Sequence, residues 1–180
     1  LIGKDAGKLL EGGGENVAIG SGALDAAVSS VNNVAVGTNA LTLYTDTTAP
    51  NVAVGYNALA ANVGGNECTA VGSYALDVNT ADNCTAVGYN SLGANVSGRF
   101  NTAVGQASGL KVTGSHCTMI GSATGYQNTV TGDGVTCVGR EAGHYVIGAS
   151  NTLIGYQAGF NVTSGTNNVC LGYDSASDAL

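Results

Sequence analysis

A short motif, a β-branched residue followed by glycine, recurs along the whole chain and constrains the fold more than any other feature. The repeat glycines are Gly3, Gly20, Gly37, Gly55, Gly72, Gly88, Gly105, Gly121, Gly139, Gly155 and Gly172, the last preceded by Leu171. Successive intervals are 17, 17, 18, 17, 16, 17, 16, 18, 16 and 17 residues. Each copy opens on a strand-like run such as Asn16-Val17-Ala18-Ile19-Gly20 or Asn101-Thr102-Ala103-Val104-Gly105. Three residues after the glycine the side chain is always small, from Ala6 and Ala23 to Ser175. The next residue is Leu in copies two to six and mostly Gly elsewhere. A second run of β-formers follows, as in Asn62-Val63, Asn95-Val96 and Lys111-Val112-Thr113, before a Gly- or Asn-rich turn.

About 17 residues are too few for a helical-hairpin repeat, and no segment sustains a 3.6-residue apolar period. Two short strands and two turns fit that length. Such a unit cannot bury its apolar face alone, but stacked copies share a continuous core. The expected fold is all-β, a parallel β-solenoid of about eleven coils of 16–18 residues with two short strands per coil. At about 4.8 Å per parallel neighbour, ten coil steps make a rod of about 50 Å. The composition agrees. The chain has 29 glycines, one proline and no tryptophan in 180 residues. Coil corners favour glycine where φ is positive, and a stacked strand excludes proline because it removes a ladder hydrogen bond.

Side chains alternate along the first strand. One face carries Ile19, Val36, Val54 and their equivalents, with Val or Thr two residues earlier. Six successive copies have threonine there, from Thr69 to Thr152. The other face carries Ala18, Ala35, Ala53, Ala70, Ala86 and Ala103, with Asn or Cys two residues before. The β-branched face has more apolar area to hide and is expected to line the interior. The reverse arrangement, with alanine inside, stays open. The asparagine column (Asn16, Asn33, Asn51, Asn101, Asn151 and Asn168) is expected to form amide ladders along the rod, as stacked identical residues do in cross-β structures.

Chemistry-bearing patterns are sparse. Five Lys and Arg against twelve Asp and Glu give a net charge of −7, which argues against nucleic-acid binding. No apolar run is long enough to insert in a membrane. His116 and His144 lie in different copies without metal-ligand spacing and read as loop histidines. The acids never align at one repeat position on consecutive coils, so neither a carboxylate dyad nor a calcium ladder is expected. Gly12-Gly13-Gly14 lacks the lysine and helix of a phosphate cradle. Of five cysteines, only Cys68 and Cys84 fall on adjacent coils; most read as small buried hydrophobes. No catalytic, cofactor or metal residue is assigned, and the chain is not expected to be an enzyme. Tyr56, Tyr89, Tyr156 and Tyr173 each follow a repeat glycine, with Tyr74 one place later. They form either an aromatic stripe for carbohydrate contact or corner packing.

Segments such as Asn16-Val17-Ala18-Ile19-Gly20 and Asn51-Val52-Ala53-Val54-Gly55 resemble the repeat of the left-handed parallel β-roll in trimeric autotransporter adhesin heads. The fuller unit Asn51-Val52-Ala53-Val54-Gly55-Tyr56-Asn57-Ala58-Leu59 resembles repeats of phage and bacterial tail-fibre-like surface proteins. The resemblance covers essentially the whole chain. It implies a left-handed coil, a homotrimer, and an extracellular setting on a virion, cell surface or filament.

The leading expectation is therefore a structural rod of an extracellular fibre that builds or presents an adhesive surface. Its partners would be further copies of itself, as homotrimer or end-to-end polymer, and cell-surface glycans. A self-assembling filament subunit is the alternative. Ice binding ranks lower, because the threonine column shares its face with Val and Ile. Leu1-Ile2-Gly3 starts inside a motif and the eleventh copy stops at Leu180, as expected of a single repeat domain cut from a longer fibrous chain.

Overall fold

The computed structural model describes residues 1–45 and 49–176. Ten three-residue strands follow one another: β1 (Val17–Ile19), β2 (Val34–Val36), β3 (Val52–Val54), β4 (Thr69–Val71), β5 (Thr85–Val87), β6 (Thr102–Val104), β7 (Thr118–Ile120), β8 (Thr136–Val138), β9 (Thr152–Ile154) and β10 (Val169–Leu171). They form one parallel sheet in strict sequence order. Pairing is in register at every step, for example Thr85 with Thr102, Ala86 with Ala103 and Val87 with Val104. The chain is thus a parallel β-solenoid, and the nine strand-to-strand steps span about 43 Å. Among the described residues the ten strands make about nine turns, slightly fewer than the eleven coils expected. The first copy contributes only an isolated bridge between Ile2 and Ile19.

The second strand expected in each coil is absent among the described residues, apart from an isolated bridge between Val112 and Val130. Two consecutive β-turns lead into the run where it was expected. In the fourth copy the Ala58 N–H donates to the Gly55 carbonyl at 3.3 Å, and the Asn62 N–H donates to the Leu59 carbonyl at 3.2 Å. Asn57 and Leu59 hold left-handed φ values of 54° and 51° within those turns. Such backbone cannot extend as a strand. The ladder between coils continues regardless: Leu59 N–H reaches Ala75 O at 3.0 Å and Ala61 N–H reaches Asp77 O at 2.9 Å. Consecutive coils are therefore stitched together well beyond their three-residue strands.

The repeat glycines end each strand. From Gly20 to Gly172 their φ values run from 111° to 138°, a region that side chains rarely adopt. Gly88 shows the second reason for glycine. A Cβ there would lie 2.6 Å from the carbonyl oxygen of Gly105 on the next coil.

The direction of the strand faces corrects the expectation from apolar area. Alanine, not valine, points inward. Ala18, Ala35, Ala53, Ala70, Ala86 and Ala103 are fully buried, as are Met119, Cys137 and Leu153 at the same strand position in later copies. Ile19, Val71, Val87, Val104, Ile120 and Ile154 face out. The cause is the narrow interior. Leu24, Leu41, Leu59, Leu76 and Leu92 project into it from the opposite corner and fill the space beside each alanine. Ala23, Ala40, Ala58 and Ala75 pack fully buried next to them. Where that small residue is polar, its hydroxyl is bonded: Ser108 Oγ lies 2.8 Å from Met119 O and 2.7 Å from Thr124 Oγ1.

Candidate functional site

The asparagine column points inward with the alanines, and its role is to join coils. Asn33 Oδ1 accepts the Asn51 N–H at 2.8 Å, and Asn51 Oδ1 accepts the Cys68 N–H at 2.9 Å. Asn101 Oδ1 accepts the Cys117 N–H at 2.9 Å. Each amide oxygen thus accepts a backbone N–H of the following coil, while the buried Asn51 Nδ2 is left without a hydrogen-bond partner. Direct amide-to-amide bonds within this column occur at two steps among the described residues. Asn33 Nδ2 donates to Asn16 Oδ1 at 3.2 Å, and Asn168 Nδ2 donates to Asn151 Oδ1 at 3.0 Å.

A second buried amide column lay unrecognised in the sequence. Asn62, Asn79 and Asn95 are fully buried seven residues after their repeat glycines. Asn95 Nδ2 donates to Asn79 Oδ1 at 3.1 Å and Asn62 Nδ2 donates to Gly65 O at 2.8 Å. The signal was present as Asn at one repeat position in three consecutive copies.

The five cysteines are buried and free. Asn79 and Asn95 direct their amide nitrogens at the sulfurs of Cys68 and Cys84, at 3.6 and 3.4 Å. A shared hydrogen bond with Cys84, together with burial, pushes the Cys68 thiol up. Burial also pushes the Cys137 thiol up. The hydrogen bond shared with Cys68 lowers the Cys84 thiol, and all five sulfurs are packed into the core. No group of three or more His, Cys, Asp or Glu side chains among the described residues could hold a metal ion. His116 stacks on Phe100 at 5.0 Å, and the half-buried His144 stacks on Phe160 at 4.9 Å.

Two surfaces stand out. The first is the outer face of the sheet. One column runs Val17, Val34, Val52, then threonine from Thr69 to Thr152, then Val169; its neighbour runs from Ile19 to Leu171, β-branched until that last rung. None of these twenty residues is charged. Parallel in-register pairing spaces them regularly along the rod.

The second surface is the corner that follows the strands, where the sequence placed the tyrosines. Tyr56, Tyr89 and Tyr173 are exposed and Tyr156 is half-buried. They stack on one another outside the core. Tyr74 sits between Tyr56 and Tyr89, edge-on to both, at centroid distances of 5.2 and 6.0 Å. A hydrogen bond shared with Tyr56 that holds the protonated form raises the Tyr74 phenol. Further along the same corner Tyr156 and Tyr173 stack nearly parallel, 5.2 Å apart and 9° from coplanar. Arg140 lies over Tyr156 at 5.6 Å and pairs with Glu141 at 2.6 Å. Glu141 also accepts a hydrogen bond from Gln157 at 2.6 Å.

Compared with protein-family models, curated proteins and solved structures, the chain matches none.

Proposed function

We propose that this chain is the structural rod of an extracellular fibre, non-catalytic, whose copies associate side by side through the outer face of the sheet. The observation that supports the reading is the uncharged Val/Ile–Thr ladder over all ten strands. With a length of about 43 Å and a width of about 10 Å, it covers some 400 Å² per copy, the scale at which exposed apolar patches mark interaction surfaces. Three copies around a common axis is the arrangement implied by the resemblance to adhesin-head and tail-fibre repeats. Sedimentation equilibrium tests it. The reading predicts a mass that is a small multiple of 17.6 kDa, reduced toward that value by Val87→Lys with Val104→Lys. Indefinite filaments under the electron microscope would favour the filament-subunit reading instead.

A second reading is supported by one specific observation: the threonine column faces outward, at even spacing, beside stiff β-branched neighbours. A flat, regular, uncharged array of this kind suits ice binding. A monomer that shows thermal hysteresis, lost in Thr102→Lys, would favour it over lateral association.

A further inference from the structure

We infer that the tyrosine corner is a binding site for a linear, uncharged, extended polysaccharide lying parallel to the rod axis. Four features carry the inference. Tyrosine rings occupy consecutive coils at 56, 74 and 89, and again at 156 and 173, on the same corner of the solenoid. These two platforms are separated by four coil steps, about 19 Å. The interval carries Gln106, Ser122 and Arg140 at the tyrosine position, the first two being neutral polar side chains able to bond sugar hydroxyls. A sugar presents weakly positive C–H groups on its ring faces, which suit the exposed rings of Tyr56, Tyr89 and Tyr173, while the Tyr156 ring is covered by Tyr173 and Arg140.

The platform is also preorganised. Adjacent coils are tied by backbone bonds at this corner, such as Tyr74 N–H to Tyr56 O at 2.9 Å and Asn90 N–H to Ser73 O at 2.9 Å. Tyrosine has few rotatable bonds, so little freedom is lost on contact. An extended β-linked glycan advances by about one coil spacing per sugar, whereas a helical α-linked glucan curves away from a straight edge. Charge selects among extended glycans. The net charge of −7 disfavours polyanions, and the one cation at the second platform, Arg140, is already paired with Glu141. The inference goes beyond the proposed rod and gives a ligand to the adhesive surface that the sequence led us to expect. It uses the corner and not the sheet face, so solution mass and sugar binding fail independently.

The test titrates the intact chain with cellohexaose and chitohexaose, with maltohexaose as the comparator. Tyrosine emission is the readout, undisturbed because the chain has eight tyrosines and no tryptophan. Saturable binding of an extended glycan is expected, weakened about tenfold by Tyr89→Ala and by Tyr56→Ala, and less than about threefold by Tyr89→Phe. Should Tyr89→Ala lower the melting temperature, saturation transfer from tyrosine protons of the unaltered chain to sugar C–H groups decides the matter. The inference is overturned by the absence of binding or saturation transfer with both extended glycans, by unchanged affinity in folded alanine variants, or by equal binding of maltohexaose.

Discussion

In β1 to β5 the inward strand residue is alanine, and the corner residue four places after the repeat glycine is leucine. From β7 to β9 the pattern inverts: Met119, Cys137 and Leu153 point inward from the strand, and Gly125, Gly143 and Gly159 occupy the corner. Both corners carry left-handed backbone, φ 51° at Leu59 and 53° at Gly125. In the later coils the strand side chain stands where the leucine would. A Cβ on Gly143 would lie 2.6 Å from Cys137 Sγ and 2.8 Å from Leu153 Cδ1. The coil at β6 is the junction. It combines Ala103 with Gly109, and Leu92 and Met119 close the gap from either side, 3.2 Å from a Cβ placed on Gly109. The residue that fills the interior changes sides between the two regions. The leucine solution accepts a non-glycine residue in left-handed backbone, at a cost of about 1 kcal/mol per site. The glycine solution avoids that cost and relies on larger strand residues.

The largest predicted effects fall equally on both regions. Gly88→Ala and Gly121→Ala should each cost at least about 3 kcal/mol in denaturant unfolding, because both combine positive φ with a backbone clash on the next coil. A marked inequality would break the claim that the repeat glycine is indifferent to which packing solution surrounds it. Next come the interior swaps. Leu59→Gly alone should cost about 3 kcal/mol through the cavity, and Ala53→Leu alone about 1–3 kcal/mol through overpacking. Combined, they convert a leucine coil into a glycine coil and should return to within about 1 kcal/mol of the parent. Additive losses would show that the two positions do not share one space.

Smaller effects sharpen the comparison of polar columns. Asn101→Ala removes the acceptor of the Cys117 N–H and the donor to Gly114 O, and should cost about 1–3 kcal/mol by thermal unfolding. Cys84→Ala, which removes a thiol whose oxygen partners lie at 3.2 and 3.5 Å, should cost less. The smallest effect is at Asp77, whose carboxyl is pushed up by burial. A raised carboxyl makes the folded chain hold its proton more tightly than the unfolded chain. That stabilisation is present below the unfolded value and is lost as pH rises through the folded one. Asp77→Asn should therefore melt slightly higher than the parent at neutral pH, and the gap should close in acid.

The repeat length, the parallel in-register stacking and the glycine corners were legible because each is written into residue spacing. Strand orientation was misjudged because apolar area was weighed on one strand alone. The corrective signal was available. The strand residue enlarges to Met119 and Leu153 in the copies where the corner leucine becomes glycine, which requires both positions to face one interior. The second strand was overread because Val and Asn runs such as Asn62-Val63 fit strands and turns equally well in sequence. The Asn62 amide closes a turn onto Gly65, accepting its N–H and donating to its carbonyl, and composition does not reveal that. At the tyrosine corner, the regular spacing was visible, but ring-on-ring stacking depends on corner geometry that no motif encodes.

The central claim is that the face turned outward, Val and Ile beside Val and Thr, is a surface for further copies of the chain. Sedimentation equilibrium of the intact chain and of the Val87→Lys/Val104→Lys variant tests it most directly. The account predicts an assembled species for the first and a 17.6 kDa monomer, still folded by circular dichroism, for the second. A parent chain that stays at 17.6 kDa at tens of micromolar would contradict it.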